Sequence, residues 1–237
     1  MIQRLAVLGD SILRGVVLDE ASGRYVHLKE SCVAGAQQQL GLSIDNFSRF
    51  GMTSEKGLQV ARQRLPEQGG YDACLICFGG NDVDHCWKQV AEDPQGENPP
   101  HVACGRYIEN MGQMVELARQ RKMEPILFTL PPIDSQRYFR FFSRGIEKWQ
   151  NILQWLGSVD VIYEQHKMYS ERLFALANQL RCRIIDIRNV FLGAGDYKEY
   201  LCSDGIHPNA RGHALMQTAL VSYVRSCQGK RCNVKHV

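Results

Sequence analysis

Short apolar runs alternate with longer amphipathic segments along most of the chain. The apolar runs predict five strands, at residues 4–8, 43–47, 73–78, 125–130 and 183–187. Segments with helical spacing lie between and after them, at residues 27–40, 53–65, 106–121, 143–180 and 209–226. Residues 5–8 are apolar at every position, which is typical of a strand buried on both faces. The alternation predicts an α/β fold, with a parallel sheet covered by helices on both faces.

Two regions interrupt this pattern, and the chain ends in a polar tail. Residues 91–100 are polar and contain proline, which predicts a surface loop. Residues 133–169 follow the fourth predicted strand and are rich in aromatic side chains, whereas residues 228–237 are polar and basic, which predicts a frayed tail. We therefore expect a single domain over residues 1–237, with an aromatic-rich insertion at 133–169.

Composition and charge argue against two classes of protein, those that bind nucleic acid and those that span a membrane. The 237 residues are 44% hydrophobic and 22% charged, as in ordinary soluble globular proteins. The net charge is only +3, and no dense Lys/Arg stripe is present, so we expect no nucleic-acid partner. No apolar run reaches the roughly 18 residues that span a bilayer. The first apolar stretch is short and ends at Asp10, unlike a signal peptide, so we expect a cytoplasmic protein without a membrane anchor.

The cysteines and neighbouring histidines leave one metal alternative open. Nine scattered cysteines are not a disulfide framework. The Cys-x-x-Cys pattern at 74–77 falls in a predicted strand, where its two thiols would point to opposite faces. His85, Cys86, His101 and Cys104 could gather zinc and support a metal-dependent hydrolase, although their spacing matches no standard site. We expect no metal and no other cofactor.

Polar segments follow the predicted strands at the edge where parallel sheets bind ligands. A Gly-Asp-Ser segment ends at Ser11 after the first strand, and Gly51 follows the second. A Gly-Gly-Asn-Asp segment containing Asn81 follows the third, and an Asp-Gly-Ile-His-Pro segment holds Asp204 and His207 after the last. Because the carboxyl ends of parallel strands share one edge, we expect these side chains to converge.

The converging residues are those that acyl transfer requires. A serine hydroxyl becomes a strong nucleophile when a histidine takes its proton and a carboxylate orients that ring, which are the roles available to Ser11, His207 and Asp204. The tetrahedral intermediate carries a negative oxygen, for which the N–H groups of Ser11 and Gly51 and the amide of Asn81 are candidate donors. Together the segments suggest a serine hydrolase.

Each segment alone also has a plainer interpretation. The first could be a serine-capped turn, the third a glycine-rich turn, and the last a helix entry with Asp as cap and Pro in the first turn. Their order at successive strand ends favours catalysis. We interpret Asp10 as a structural hydrogen-bonding residue and His213, on the last predicted helix, as a surface or packing histidine.

The four segments resemble, in order, the sequence blocks of the SGNH (GDSL-type) hydrolase family, and the resemblance spans residues 4–212. It implies a three-layer flavodoxin-like fold with a five-stranded parallel sheet. It also implies Ser11 as nucleophile, His207 as base and Asp204 as orienting acid, with an oxyanion hole from Ser11, Gly51 and Asn81. The Gly-x-Ser-x-Gly elbow of the other large hydrolase group does not occur in the sequence.

The substrate is less defined than the reaction. Apolar residues with helical spacing in the aromatic insertion predict a helix that either partly roofs the site or packs in the core: Phe142, Ile146, Trp149, Ile152, Leu153 and Leu156. Candidate pocket residues are Tyr138, Phe142, Arg137 and Trp149. Arg137, with Arg140 and Arg144, could receive an anionic substrate group or be solvated surface charge.

The first hypothesis is a hydrolase that cleaves a carboxylic ester of a small soluble molecule through an acyl-enzyme. A carbohydrate O-deacetylase and a lysophospholipase or thioesterase are alternatives that use the same triad. A non-catalytic binding protein that retains the fold is the alternative from another class. The sequence leaves the oligomeric state and the physiological ester open.

Overall fold

The computed structural model describes residues 2–229 and contains the predicted five-stranded parallel sheet. Its strand order is β4-β1-β5-β6-β7. The strands are β1 (Arg4–Gly9), β4 (Ser43–Asn46), β5 (Ala73–Cys77), β6 (Glu124–Phe128) and β7 (Arg183–Ile185). Every neighbouring pair is parallel. The inner strand β5 is buried at all five positions, which explains why its sequence is a continuous apolar run.

Helices cover both faces of the sheet and complete a three-layer fold. The long helices are α2 (Cys32–Leu40), α3 (Ser54–Arg64), α6 (Cys104–Gln120), α9 (Asp160–Gln179) and α11 (Ala210–Gly229). Helix α2 packs against α11, whereas α3, α6 and α9 pack in a row. The predicted α/β class and its doubly covered parallel sheet are confirmed.

The remaining elements are short and lie mainly at the ends of the strands. They are α1 (Ser11–Arg14), α4 (Gly80–Val83), α5 (Trp87–Glu92), α7 (Ser135–Ser143), α8 (Trp149–Leu156), α10 (Ile187–Leu192) and a 3-10 helix (Tyr197–Tyr200). An antiparallel hairpin of β2 (Val16–Asp19) and β3 (Arg24–His27) follows α1. The predicted surface loop at 91–100 begins later, because α5 continues to Glu92 and buries Ala91.

The first predicted helix, at residues 27–40, was placed too early in the sequence. His27 is the last residue of β3, and α2 begins only at Cys32, where the Ser31 hydroxyl accepts a hydrogen bond from the backbone N–H of Ala34 at 3.4 Å. The hairpin turns at residues 20–23, with the N–H of Ser22 donating to the Asp19 carboxylate and Gly23 at φ +64°. This hairpin was not predicted.

The long helix predicted at 143–180 is in fact broken: α7 ends at Ser143, and α8 and α9 follow it. Residues 144–148 separate the first two, and Gly157 at φ +71° ends α8, because a left-handed residue cannot continue a right-handed helix. Together with α5, these helices bury a second apolar cluster, apart from the main core, that includes Trp87, Phe139, Ile152 and Leu156.

The end of the chain differs from the predicted tail. Helix α11 continues to Gly229, so the first two residues of the predicted tail belong to the helix, and residues 230–237 lie outside the described part of the chain. Among residues 2–229, no helix is both long enough and apolar enough to cross a membrane.

Candidate active site

The turn after β1 presents Ser11 at the start of a one-turn helix. The Asp10 carboxylate caps α1 by accepting the N–H of Ile12 at 2.9 Å. A Cβ at Gly9 would lie 3.0 Å from the side chain of Leu13 and 3.1 Å from the carbonyl oxygen of Cys77, so this turn leaves little room for a side chain. Ser11 occupies the first helical position, where the backbone N–H has no acceptor within the helix.

The loop before α11 positions Asp204 and His207, the predicted acid and base. Asp204 is fully buried, and its Oδ1 accepts the backbone N–H groups of Ile206 and His207, each at 3.1 Å. Gly205 has φ +78°, and a Cβ there would lie 2.5 Å from the carbonyl oxygen of Asp134. The loop therefore folds back over one turn and brings the carboxylate against the imidazole.

Ser11, His207 and Asp204 form one hydrogen-bonded chain. The Nδ1 of His207 lies 2.6 Å from Oδ2 of Asp204, and its Nε2 lies 2.9 Å from Oγ of Ser11. When Nδ1 carries a proton and donates it in a hydrogen bond to Asp204, Nε2 is unprotonated and can accept a hydrogen bond from the Ser11 hydroxyl. Burial alone would raise the pKa of Asp204, but hydrogen bonds and charge from His207 and the backbone N–H groups hold that pKa below its ordinary value.

The three predicted oxyanion donors lie in the segments that follow β1, β4 and β5. The N–H of Gly51, at φ +68°, meets no acceptor among the residues that the structure describes. The amide nitrogen of Asn81 lies 3.2 Å from the Asp10 carboxylate and 3.4 Å from the carbonyl oxygen of Met52. Ser11 and Asn81 line the same cavity, and Gly51 follows Phe50, which also lines it.

Two buried aspartates flank these donors. Burial raises the pKa of Asp10 to about 6, although hydrogen bonds from Ile12 and Asn81 oppose the shift. Burial likewise raises the pKa of Asp82 to about 6. The Asp82 carboxylate accepts the N–H of Ser54 at 2.9 Å and its hydroxyl at 2.5 Å, which anchors the start of α3. Both carboxylates therefore hold backbone segments at the edge of the sheet.

The unpredicted hairpin adds Tyr25 to this network. The Tyr25 hydroxyl donates to Oδ2 of Asp204 at 3.1 Å, and its ring centre lies 4.9 Å from that of His207. Phe50 stacks on His207 at 6.1 Å, with the two ring planes 11° apart. Glu20, in the hairpin turn, accepts the backbone N–H of Ser203 at 3.0 Å and its hydroxyl at 2.6 Å. The hairpin thus contacts the loop that carries Asp204.

A sequence signal for Tyr25 exists, although it is weak. Residues 16–18 are apolar, and Gly23 precedes a second short run that contains Tyr25 and Val26. Such a pattern is typical of a hairpin. Nothing in it identifies which side chain would reach Asp204, because that contact joins residues 179 positions apart.

A cavity of about 250 Å³ opens beside Ser11. Its wall is mainly apolar and aromatic. Trp87 and Phe142 stack in that wall with ring centres 4.5 Å apart. The Asp84 carboxylate accepts the indole N–H of Trp87 and the hydroxyl of Tyr138, each at 2.8 Å. Burial raises the pKa of Asp84.

The four predicted pocket residues divide into two pairs. Tyr138 and Phe142 line the cavity, whereas Arg137 and Trp149 do not. Arg137 donates to the carbonyl oxygen of Lys198 at 2.8 Å, which directs its guanidinium along the outside of the wall. Trp149 is 40% exposed and packs edge-on against another ring of the second apolar cluster.

The remaining histidines and cysteines form no metal centre in the described structure. Over residues 2–229, no three His, Cys, Asp or Glu side chains are grouped so that they could hold a metal ion. Nδ1 of His85 lies 3.0 Å from the carbonyl oxygen of Asn98, and Nδ1 of His101 lies 3.0 Å from that of Asn81. His213 is fully buried, and its Nδ1 accepts a backbone N–H of α2, so it is a packing residue.

Comparison with known families agrees with this geometry. A model of the GDSL-like Lipase/Acylhydrolase family matches residues 7–215, a range that contains all four polar segments. The chain belongs to this family. Membership confirms the resemblance to GDSL-type hydrolases that the motifs indicated. The match begins within β1 and ends within α11, so it includes part or all of every strand of the sheet.

Curated relatives of this GDSL-like chain include two named esterases. A GDSL esterase/lipase of Arabidopsis thaliana is 26% identical over 183 residues, which are 76% of this chain and 65% of the plant protein. An isoamyl acetate-hydrolyzing esterase of Saccharomyces cerevisiae is 24% identical over 177 residues, which are 74% of this chain and 66% of the yeast protein. The matched segment thus spans just under two thirds of each relative.

Solved structures share the fold of this GDSL-like chain. A carbohydrate acetylesterase family member from Sinorhizobium meliloti superposes with a TM-score of 0.67 and is 17% identical. The superposition covers 96% of this chain and 99% of the other. At that identity the similarity establishes the fold, and it confirms the predicted SGNH hydrolase architecture.

Proposed function

We propose that this chain hydrolyses a carboxylic ester of a small soluble substrate, with Ser11 as nucleophile, His207 as base and Asp204 as orienting acid. The observation that carries the proposal is the unbroken contact from Asp204 through His207 to Ser11, at 2.6 Å and 2.9 Å, beside an apolar cavity. Family membership and the esterase names of the relatives support the reaction class.

In the first half-reaction, Oγ of Ser11 attacks the ester carbonyl while Nε2 of His207 takes its proton. The carbonyl oxygen becomes an oxyanion, held by the N–H groups of Ser11 and Gly51 and the amide of Asn81. His207 then gives the proton to the departing alcohol oxygen, and the acyl group stays on Ser11. The ionised Asp204 stabilises the imidazolium that forms in between.

In the second half-reaction, water replaces the alcohol. His207 takes a proton from that water, which attacks the acyl carbonyl, and the same donors hold the second oxyanion. Collapse of this intermediate breaks the bond to Ser11 and returns the proton to its hydroxyl. The carboxylic acid leaves, and the enzyme is restored.

The size of the cavity supports a short acyl group. A volume of about 250 Å³ lies at the lower end of small-molecule sites, and the stacked rings of Trp87 and Phe142 form part of its wall. The names of the yeast and Sinorhizobium meliloti proteins both refer to acetate esters. Acetate and its near homologues are therefore the proposed acyl groups, on either a simple or a carbohydrate alcohol.

The test compares wild type with Ser11→Ala on p-nitrophenyl esters from acetate to decanoate. Wild type is expected to cleave the shortest esters best, and Ser11→Ala to lose about a thousandfold or more in kcat. Ser226→Ala is a matched control, because Ser226 lies on α11 and its hydroxyl bonds only a carbonyl oxygen of its own helix.

Three outcomes would change the proposal. Equal activity in wild type and Ser11→Ala would rule out Ser11 as nucleophile. A preference for decanoate would favour the lysophospholipase alternative. No turnover of any ester, together with binding of an ester product, would favour the non-catalytic binding protein.

A further inference from the structure

A second groove lies beside the active-site cavity and is strongly basic. Its volume is about 300 Å³, and it is lined by three arginines, Arg14, Arg49 and Arg64, together with His27. Among the described residues, no aspartate or glutamate lines it. This groove, named here the arginine groove, is distinctive in a chain whose 28 basic and 25 acidic residues are nearly balanced.

The three guanidinium groups of the arginine groove are not neutralised by the protein. Within residues 2–229, none of them forms an ion pair or a side-chain hydrogen bond. Arg64 lies over the ring of Phe47, with 5.5 Å from its guanidinium carbon to the ring centre. Several like charges around one concave surface raise the local concentration of anions.

The arginine groove is attached to the elements that carry the proposed nucleophile. Arg14 is the last residue of α1, three positions after Ser11, so the two lie on the same side of one helical turn. The backbone N–H of Arg49 donates to the carbonyl oxygen of Gly9 at 3.2 Å, which fixes Arg49 to the end of β1. The groove and the active site therefore share a rigid base.

Phe50 separates the arginine groove from the active-site cavity, because it lines both. Its ring stacks on His207. The alcohol oxygen of an ester must lie within hydrogen-bond reach of Nε2 of His207 to receive its proton. The rest of the alcohol can then extend past Phe50, while the acyl group occupies the aromatic side of the cavity.

We propose that the arginine groove binds a phosphate group on the alcohol portion of the substrate. This inference rests on the proposed ester hydrolysis and specifies its substrate as a small ester of a phosphate-bearing alcohol. Guanidinium groups suit phosphate because their planar N–H pairs can each bond two of its oxygens. Hydrolysis would release a carboxylic acid and the free phosphoalcohol, leaving the phosphate bond intact.

The decisive measurement is a selectivity ratio within each protein. It compares kcat/KM for acetoxyethyl phosphate with kcat/KM for acetoxyethanol, which differ only by the phosphate group. In wild type we expect a preference of about tenfold for the phosphate ester, because a few exposed charge contacts supply about that much. The Arg14→Gln/Arg49→Gln variant should bring the ratio close to one.

The matched control is Arg172→Gln/Arg225→Gln, which removes two exposed arginines outside the groove. It should keep the wild-type ratio. The preference should also shrink when NaCl rises from about 0.02 M to about 0.5 M, because salt screens exposed charges. A ratio near one in wild type, or an equal fall in both double variants, would overturn the proposal.

A binding measurement separates this proposal from the catalytic one. Calorimetry on Ser11→Ala, with and without Arg14→Gln/Arg49→Gln, reports affinity for acetoxyethyl phosphate without turnover. A loss of about tenfold on adding the pair supports the groove even if no ester is hydrolysed. Inorganic phosphate that binds as tightly as the ester would identify a free-anion site and overturn the substrate assignment, as would no binding of either compound.

Discussion

The two walls of the active-site cavity are held in place by different forces. On one side, Ser11, His207 and Asp204 are fixed by hydrogen bonds of 3.1 Å or less between the first strand end and the last loop. On the other side, Phe142 is held by ring stacking on Trp87 within the second apolar cluster, and Trp87 itself also donates a hydrogen bond to Asp84. Hydrogen bonds fix the direction of each atom, whereas apolar packing fixes only shape and volume.

This difference predicts separate consequences for mutation. Changes in the hydrogen-bonded wall should affect the rate of the chemical step, because they displace a reacting group or remove its charge. Changes in the aromatic wall should affect which substrate fits, because they alter the volume available to the acyl group.

The largest expected effect is that of Asp204→Asn. The amide keeps the size of the side chain but loses the charge that orients His207, so kcat should fall by about a thousandfold to ten-thousandfold. Ester hydrolysis under saturating substrate measures it. Asp196→Asn is the matched control, since Asp196 caps the nearby 3-10 helix outside the cavity. A loss smaller than about tenfold would contradict the orienting role.

The buried charge of Asp10 should appear as a pH dependence of stability. Its pKa is about 6 in the fold against an ordinary 3.8, so between these values the folded protein holds a proton that the unfolded chain has lost. The contribution of Asp10 to the free energy of unfolding is therefore fully present below about pH 4. It is lost as pH rises through 6, which lowers the free energy of unfolding by about 2–3 kcal/mol.

Thermal unfolding between pH 4 and pH 7 measures this effect. Asp10→Asn should abolish the loss of stability that ionisation of Asp10 causes. The Tm of the variant should therefore rise relative to that of wild type as pH increases. Parallel curves for the two proteins would show that Asp10 does not titrate in this range.

Phe142→Ala should change substrate choice more than rate. Removing the ring opposite Trp87 enlarges the cavity, so the preference among p-nitrophenyl esters should move toward longer acyl chains by about tenfold in kcat/KM. Phe174→Ala is the matched control, because Phe174 is exposed on α9 outside the cavity. An unchanged preference among acyl-chain lengths would show that Phe142 does not form part of the acyl pocket.

The smallest expected effect is that of Tyr25→Phe, which keeps the ring against His207 and removes the hydrogen bond to Asp204. We expect kcat to fall by about threefold to tenfold, because one hydrogen bond contributes about 0.5–1.5 kcal/mol net and Asp204 keeps its other partners. Tyr71→Phe is a close control: it removes a 2.8 Å bond to Asp45, and neither residue lines the active-site cavity. Equal kcat values for Tyr25→Phe and Tyr71→Phe would show that the hydrogen bond from Tyr25 does not position Asp204.

The hydrogen-bonded wall was largely predictable from sequence, and the aromatic wall was not. Ser11 and Asn81 closely follow the buried strands β1 and β5, and His207 lies in the loop before the last helix. The chemistry restricts the residue type at these positions, and the parallel topology makes them converge. The aromatic residues were visible, but one helical period over 143–180 did not reveal the breaks before Trp149 and at Gly157 that decide which rings face the cavity.

Long-range contacts explain the remaining gap. Tyr25 reaches Asp204 across 179 positions, and Phe50 separates two cavities whose existence no local pattern encodes. Arg137 was a candidate for anion binding because it lies beside the apolar stripe of the aromatic insertion, yet its guanidinium bonds a carbonyl oxygen of the 3-10 helix. The arginines of the groove come from three separate elements and share no motif.

The hydrogen bond between Ser11 and His207 joins residues 196 positions apart, which bears on how the protein is made. During synthesis the serine leaves the ribosome first, and its partner follows roughly 10–40 s later at ordinary elongation rates. Throughout that interval the nascent chain carries a nucleophile without a base. Under the proposed mechanism, hydrolytic activity therefore begins only after the last loop has been translated and has docked, and it reports that the whole sheet has formed.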